Sequence, residues 1–247
     1  TGKSVLGPIR TNTIWQQVGS GSIGDPIIQY DHSAQRWLMM EMQGGNELLL
    51  AVSNNSDPTG AWKAYRIPTL GFPDYPKFYV WNNAYFITVN EIIGSNVCSG
   101  FALDRSAILA GDPNFKVYRF QMPNYLAIQY QPATGADWEG GAPPPPGSPG
   151  YIFRVYDDSW DGGVDQLQLW EVNVDWNDVS KSHIDGPTKF FPAPFETKVC
   201  FGGGLFDCIE QPNPTAPRMT ALENIIMYRA PYRNFDAYES SVRNHVS

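Results

Sequence analysis

Apolar and polar residues alternate through much of this chain, and this alternation predicts β-strands. The clearest case is 166–176, where apolar residues occupy every second position. Successive side chains of a strand point to opposite faces, so the pattern predicts a strand with one buried face. Segments 63–67 and 116–120 alternate in the same way and carry Lys and Arg on their polar side. Such charges protect exposed strands from pairing with other chains, so we expect both to be edge strands.

The predicted strands recur in a fixed order. Three stretches of the chain each contain an apolar strand pair, a turn and a short amphipathic strand. Pro26 and Pro76 occupy corresponding places in the first two stretches. A period of about 50 residues built from four short strands is typical of propeller blades. The sequence therefore predicts an all-β fold, a β-propeller with four-stranded blades.

The repeat predicts a single propeller portion over 1–247, with about three full blades and two partial ones. An open ring leaves blade faces and strand edges exposed, so we expect the rest of a longer chain, or neighbouring subunits, to complete it. A short helix is predicted between Asp104 as N-cap and Gly111 as C-cap. The predicted segments are the last strand of a preceding blade (1–20), two blades (21–70 and 71–123), a blade with a Pro-rich insertion (124–192), a disulfide loop (193–220) and the start of the next blade (221–247).

Net charge, hydrophobicity and cysteine content restrict the binding partners and the cellular location that we expect for this protein. The chain of 247 residues has a formal net charge of −8, which disfavours binding to nucleic acid. No apolar stretch is long enough to predict a membrane span. Cys200 and Cys208 bracket a Gly-rich loop and are expected to form a disulfide, which indicates an oxidising, extracellular or cell-surface location. Cys98 is predicted to be a buried thiol.

Carboxylates at the starts of the innermost predicted strands are the candidate catalytic residues. Asp25 and Asp74 are assigned equivalent places in the first two blades, and Asp137 and Glu139 precede the inner strand of the third. A pair of carboxylates flanking a glycosidic bond can supply a general acid and a general base. The arrangement of Asp25, Asp74 and Glu139 also resembles that of five-bladed glycoside hydrolases. The alternative is that an Asp before Pro simply caps a turn.

An acidic loop is the candidate metal site. Asp157, Ser159, Asp161 and Asp165 offer oxygen ligands at alternating spacing, with Gly162 for a sharp turn, as in a calcium loop. The twelfth position of such a loop holds Gln in place of the usual bidentate Glu, and the flanking segments are predicted strands. Calcium is therefore the candidate cofactor, and a solvated acidic hairpin is the alternative.

Aromatic residues near the large insertion are the candidate binding surface. Trp138, Trp160, Tyr125 and Tyr130, together with Asp137, are placed where rings can stack on a carbohydrate or on a surface protein. The alternative is that these rings fill the channel.

Several phrases resemble a largely uncharacterised family of secreted or cell-surface bacterial β-propeller proteins. The most distinctive are Gly-Asp-Pro at 24–26, Pro-Asp-Tyr-Pro-Lys at 73–77 and Tyr-Arg-Asn-Phe at 232–235. The resemblance implies a fold and a location but no activity. Segment 54–62 also resembles the Asp-box turn of sialidases, which is a structural motif. The segments that resemble the bacterial propeller family are 24–31, 34–38, 52–62, 72–77, 102–111, 169–176, 208–212 and 227–235.

Taken together, these features predict an extracellular binding or scaffolding module. The two alternatives are a glycoside hydrolase that uses the channel carboxylates and a structural subunit of an extracellular assembly.

Overall fold

The computed structural model describes residues 3–124, 132–200, 207–235 and 245–246. β-Strands make up nearly half of this part of the chain and form three mainly antiparallel sheets, none of which closes on itself within the described residues. The all-β prediction is therefore confirmed, whereas a propeller of four-stranded blades is not.

The first two sheets are four-stranded antiparallel meanders in simple chain order. Strands β4 and β8 lie at the outer edges, which confirms the prediction drawn from their alternating Lys and Arg residues. The first sheet consists of β1 (Ser22–Asp31), β2 (Arg36–Gln43), β3 (Glu47–Ser53) and β4 (Trp62–Pro68). The second consists of β5 (Phe72–Val80), β6 (Ala84–Ile93), β7 (Ser95–Asp104) and β8 (Val117–Gln121).

The third sheet has two further strands on its inner side. Strand β13 pairs in parallel with β9, with Ala230 opposite Ala136 and Tyr232 opposite Trp138. The segment predicted to open a new blade thus extends the third sheet. This sheet runs in the order β12-β11-β10-β9-β13-β14. Its strands are β9 (Thr134–Trp138), β10 (Gly150–Tyr156), β11 (Gln166–Asn173), β12 (His183–Phe190), β13 (Ala230–Arg233) and β14 (His245–Val246).

The helices are short. Helix α1 (Asn12–Trp15) and the 3₁₀ turn that follows it (Gln16–Val18) occupy the region where the sequence predicted a strand. Helix α2 (Arg105–Ala110) confirms the predicted caps, because the Asp104 carboxylate accepts the Ala107 N–H at 3.1 Å and Gly111 has a φ of 78°. The remaining helical segments are α3 (Asp158–Asp161) and a 3₁₀ turn (Val179–Lys181).

The three sheets stack in chain order and bury two main cores. One core lies between the first and second sheets, and the other lies between the second and third. Strand β9 approaches the second sheet so closely that a Cβ on Gly135 would lie 2.6 Å from the Tyr79 ring. Helix α1 covers the opposite face of the first sheet and buries Trp15 there.

The structure confirms the predicted disulfide between Cys200 and Cys208, whose Cα atoms lie 5.6 Å apart. Cys98 is a buried free thiol, as predicted. Within the described ranges, none of the helices has the length and apolar character needed to cross a membrane.

Candidate functional site

The innermost strands of the three sheets converge on one cleft of about 490 Å³, which we call the central cleft. Strands β1, β5 and β9 supply part of its wall, and the segment 227–231, which leads into β13, supplies the rest. The lining residues are Ile27, Tyr75, Pro76, Lys77, Phe78, Tyr79, Thr134, Glu139, Met227, Tyr228, Arg229 and Pro231.

Strands β1 and β5 each contain a β-bulge where they line the cleft, and the two bulges lie at matching positions. In β1 the register shifts between Gly24 and Ile27, and in β5 it shifts between Asp74 and Lys77. Inside these bulges Asp25 has a φ of 55° and Tyr75 has a φ of 51°.

The bulges show that Asp25 corresponds to Tyr75, and that Asp74 corresponds to Gly24. The assumed equivalence of Asp25 and Asp74 is therefore off by one residue. A shift of one residue along a strand turns a side chain to the other face. Asp25 is exposed and Asp74 is half-buried, and neither carboxylate lines the cleft.

Asp137 is buried behind the cleft residue Arg229, and both of its carboxylate oxygens have partners. Its Oδ1 accepts hydrogen bonds from Gln29 Nε2 at 2.5 Å and from the Val80 N–H at 2.7 Å. Its Oδ2 lies 2.7 Å from Arg229 Nε. Burial raises the pKa of Asp137, although the Val80 hydrogen bond and the charge of Arg229 act in the opposite direction. Asp137 thus joins β1, β5 and β9 instead of facing a ligand.

Glu139 lines the cleft and is paired with an arginine. Arg233 Nη2 lies 2.9 Å from Glu139 Oε2, and both side chains are partly exposed. The ion pair with Arg233 thus occupies one oxygen atom of the Glu139 carboxylate.

Lys77 holds the segment before β13 against β5. Its ammonium donates hydrogen bonds to the carbonyl oxygens of Ile226 at 3.0 Å and Met227 at 2.7 Å. The same ammonium lies 5.0 Å from the centre of the Tyr75 ring. Burial lowers the pKa of Lys77 to about 8.

The aromatic predictions have different outcomes. Trp138 is only 7% exposed and packs in the core between the second and third sheets, so its ring neither forms an open binding surface nor fills a channel. Trp160 lies away from the cleft, where its indole N–H donates to Thr197 and its ring contacts the Lys198 ammonium. Tyr125 and Tyr130 lie outside the described residues.

Sequence reasoning missed the main cleft residues Lys77, Arg229 and Tyr228. Tyr228 is 85% exposed, which makes it the most exposed of the large apolar or aromatic side chains described. The only sequence feature that pointed to Lys77 is its position directly after Pro76, which corresponds to Pro26 in the preceding repeat. Arg229 had no local signal, because its partner Asp137 is remote in sequence.

The acidic loop brings Asp157, Asp158 and Asp165 together, with carboxylate oxygens within 4.8 Å of one another. Of the predicted ligands, Ser159 instead donates its hydroxyl to Glu196 at 2.8 Å. The side chain of Asp161 lies outside the described part of the structure.

Both buried carboxylates of this loop accept backbone hydrogen bonds. Asp157 accepts from the N–H groups of Ser159 and Thr197 at 2.8 and 2.6 Å. Asp165 accepts from those of Asp158 and Phe195 at 2.9 and 2.7 Å. Burial raises the pKa of Asp157, but hydrogen bonds from the side chains and backbone of Ser159 and Thr197 outweigh it and hold the pKa below its ordinary value. The loop therefore anchors the segment after β12, and calcium binding there remains a prediction.

Comparison with protein-family models, with curated proteins and with solved structures finds no match for this chain. The resemblance to secreted bacterial propeller proteins accordingly remains a prediction.

Proposed function

We propose that this protein is an extracellular binding module that recognises a carbohydrate in the central cleft. The observation that carries the proposal is the lining of the cleft, where the carboxylate of Glu139 is paired with Arg233 while Tyr228 is exposed at the rim. An exposed ring beside polar groups suits stacking on a sugar and hydrogen bonding to its hydroxyls. The disulfide between Cys200 and Cys208 is compatible with the extracellular location.

Recognition fits this cleft better than glycoside hydrolysis does. Hydrolysis requires one carboxyl group that can donate a proton and a second carboxylate on the other side of the bond. Here Asp137 is buried against Arg229, and Glu139 is paired with Arg233. Asp25 and Asp74 occupy non-equivalent bulge positions, which gives no support to a shared pair.

The proposal is tested by binding measurements on a variant of the exposed tyrosine. Wild-type protein is screened against a glycan array, and the affinity for the best oligosaccharide is measured by calorimetry. Tyr228→Ala is expected to weaken binding about fivefold to tenfold, because it removes one stacking contact.

Phe191→Ala is the matched control, since Phe191 is also exposed but lies just after β12, away from the cleft. It is expected to bind as wild type. Equal loss of affinity in both variants, or release of reducing sugar during incubation, would contradict the proposal.

A further inference from the structure

The Lys77 ammonium is a half-buried positive charge that lacks a carboxylate partner among the described residues. Its two hydrogen bonds go to the carbonyl groups of Ile226 and Met227. An ammonium has three N–H donors, so one remains available. Carbonyl oxygens offset the charge only in part, which is consistent with the pKa of about 8 that burial imposes on Lys77.

Arg229 places a second cation in the lining of the same cleft. Its Nε contacts Asp137 at 2.7 Å, while its side chain remains 41% exposed. A guanidinium has five N–H donors, and this ion pair occupies one of its nitrogen atoms. Arginine in such a setting is suited to binding a ligand carboxylate through two parallel hydrogen bonds.

The charges around the cleft are mostly paired with one another. Arg229 is paired with Asp137, and Arg233 is paired with Glu139. Asp25 is a further, exposed carboxylate near Tyr75, so three carboxylates balance the charges of Lys77, Arg229 and Arg233. Attraction for an anionic ligand therefore comes from the Lys77 ammonium and from the remaining donors of Arg229, and not from a net positive charge of the cleft.

Aromatic surface adjoins these cations. The Lys77 ammonium lies 5.0 Å from the centre of the Tyr75 ring, and the exposed Tyr228 belongs to the lining of the same cleft. Asp25 is the other charge near Tyr75, and it adds to burial in raising the pKa of the Tyr75 hydroxyl. Cations next to ring faces fit a ligand that has both a carboxylate and an apolar face, as an acidic sugar has.

We infer that the central cleft binds a carboxylate-bearing saccharide, such as a uronic-acid oligomer, whose carboxylate contacts Lys77 and Arg229. This inference rests on the proposed function, because it names the ligand class of the same site. The sugar ring stacks on Tyr228.

Binding of such a ligand depends on pH in a defined direction. The carboxylate binds the protonated form of Lys77, and that form is depleted as the pH rises through about 8. Apparent affinity scales with the protonated fraction, so it is expected to fall about tenfold between pH 7 and pH 9. A neutral saccharide has no charge to pair with Lys77, and its affinity is expected to stay constant over the same range.

The test uses calorimetry with tetragalacturonate and the neutral galactotetraose as probes. Tetragalacturonate is expected to bind wild-type protein more tightly than galactotetraose at pH 7. Lys77→Met is expected to lower the affinity for tetragalacturonate about tenfold, with little effect on galactotetraose. Lys189→Met, at an exposed lysine on β12, is the matched control and is expected to bind both probes as wild type.

The possible results separate the inference from the proposed function. Equal affinity for both probes, with loss in Tyr228→Ala, overturns the inference and leaves the proposed function standing. Absence of binding to any saccharide overturns both. Binding of an acidic peptide, acetyl-Glu-Gly-Glu-amide, in preference to tetragalacturonate also overturns the inference. If Lys77→Met does not fold, the wild-type pH profile decides, and a flat affinity for tetragalacturonate from pH 7 to pH 9 overturns the inference.

Discussion

Asp31, at the end of β1, is a completely buried carboxylate that ties the first sheet to the second. Arg105 contacts both of its oxygens, at 2.7 and 2.9 Å, and the Tyr85 hydroxyl donates to it at 2.8 Å. Burial raises the pKa of Asp31, but the hydrogen bonds and charge of Arg105 outweigh it and hold the pKa below its ordinary value. The carboxylate is therefore stabilised by partners that folding alone brings together.

Removing this charge is expected to destabilise the protein strongly. Asp31→Asn leaves the largely buried Arg105 without its counter-ion, which costs about 3–5 kcal/mol at pH 7 in urea denaturation. Because the folded pKa lies below the unfolded value, the stability from Asp31 is present at neutral pH and is lost as the pH falls through the folded pKa. The difference between wild type and Asp31→Asn should thus shrink at pH 3. The control Asp185→Asn, at an exposed site, is expected to differ from wild type by less than about 0.5 kcal/mol.

At the scale of elements, helix α1 and its 3₁₀ turn act as a cover for the first sheet. A four-residue helix is too short to be stable alone, so tertiary packing must hold it. Trp15 supplies that packing by burying its ring against Met39, Leu49 and Ala51. Its indole N–H also donates to the buried carboxylate of Glu41 at 2.6 Å.

Two substitutions at Trp15 separate packing from hydrogen bonding. Trp15→Ala is expected to lower the free energy of unfolding by about 3–5 kcal/mol, because it opens a large cavity. Trp15→Phe keeps most of the ring but leaves Glu41 without the indole donor, at a cost of about 1–3 kcal/mol. Denaturation in urea measures both, with the exposed-site variant Val5→Ala as control. A loss no larger than that of Val5→Ala would show that α1 does not cover the sheet.

At the scale of the whole molecule, the described residues 193–200 and 207–229 lie between the outer strand β12 and strand β13 at the central cleft. Asp165 and Asp157 hold the start of this segment through the amides of Phe195 and Thr197. Farther along, Glu223 Oε1 accepts the N–H groups of Val199 and Cys200, each at 2.6 Å. The anchored segment then supplies one wall of the cleft, so distant contacts support the site.

Glu223→Ala is expected to loosen this segment and to weaken ligand binding with it. Loss of both hydrogen bonds leaves two amides without their acceptor, so exchange of the Val199 and Cys200 amide hydrogens should rise about tenfold or more. Saccharide affinity should fall in parallel, because the partners of Lys77 lie three and four residues farther on. Glu210→Ala is the control in the same segment, since Glu210 pairs only with the exposed Arg218 among its described contacts. Unchanged amide exchange in Glu223→Ala would contradict this role.

Local features of the chain were predictable because their signals are local. Alternation predicts strands, so the edge strands β4 and β8 and the existence of β11 follow from the sequence. The buried face of β11 does not follow, because the structure buries Gln166 and Gln168 and leaves Leu167 and Leu169 half-buried. The caps of α2 follow from Asp104 and Gly111, whose chemistry acts within one helical turn. The disulfide follows from two cysteines separated by a short Gly-rich loop.

Long-range pairings were not predictable, because periodicity does not say which segments meet. The parallel pairing of β13 with β9 and the contact between Arg233 and Glu139, which are 94 residues apart, depend on how the last segment returns to the third sheet. The assumed equivalence of Asp25 and Asp74 is a different kind of error, since the offset of 50 residues between Pro26 and Pro76 already equates Asp25 with Tyr75, as the matching bulges show. The order of apolar and polar residues therefore determined which segments form strands. The composition of the cleft, in which Asp137 and Glu139 are ion-paired and Lys77 has no carboxylate partner among the described residues, was decided only when distant strands packed together.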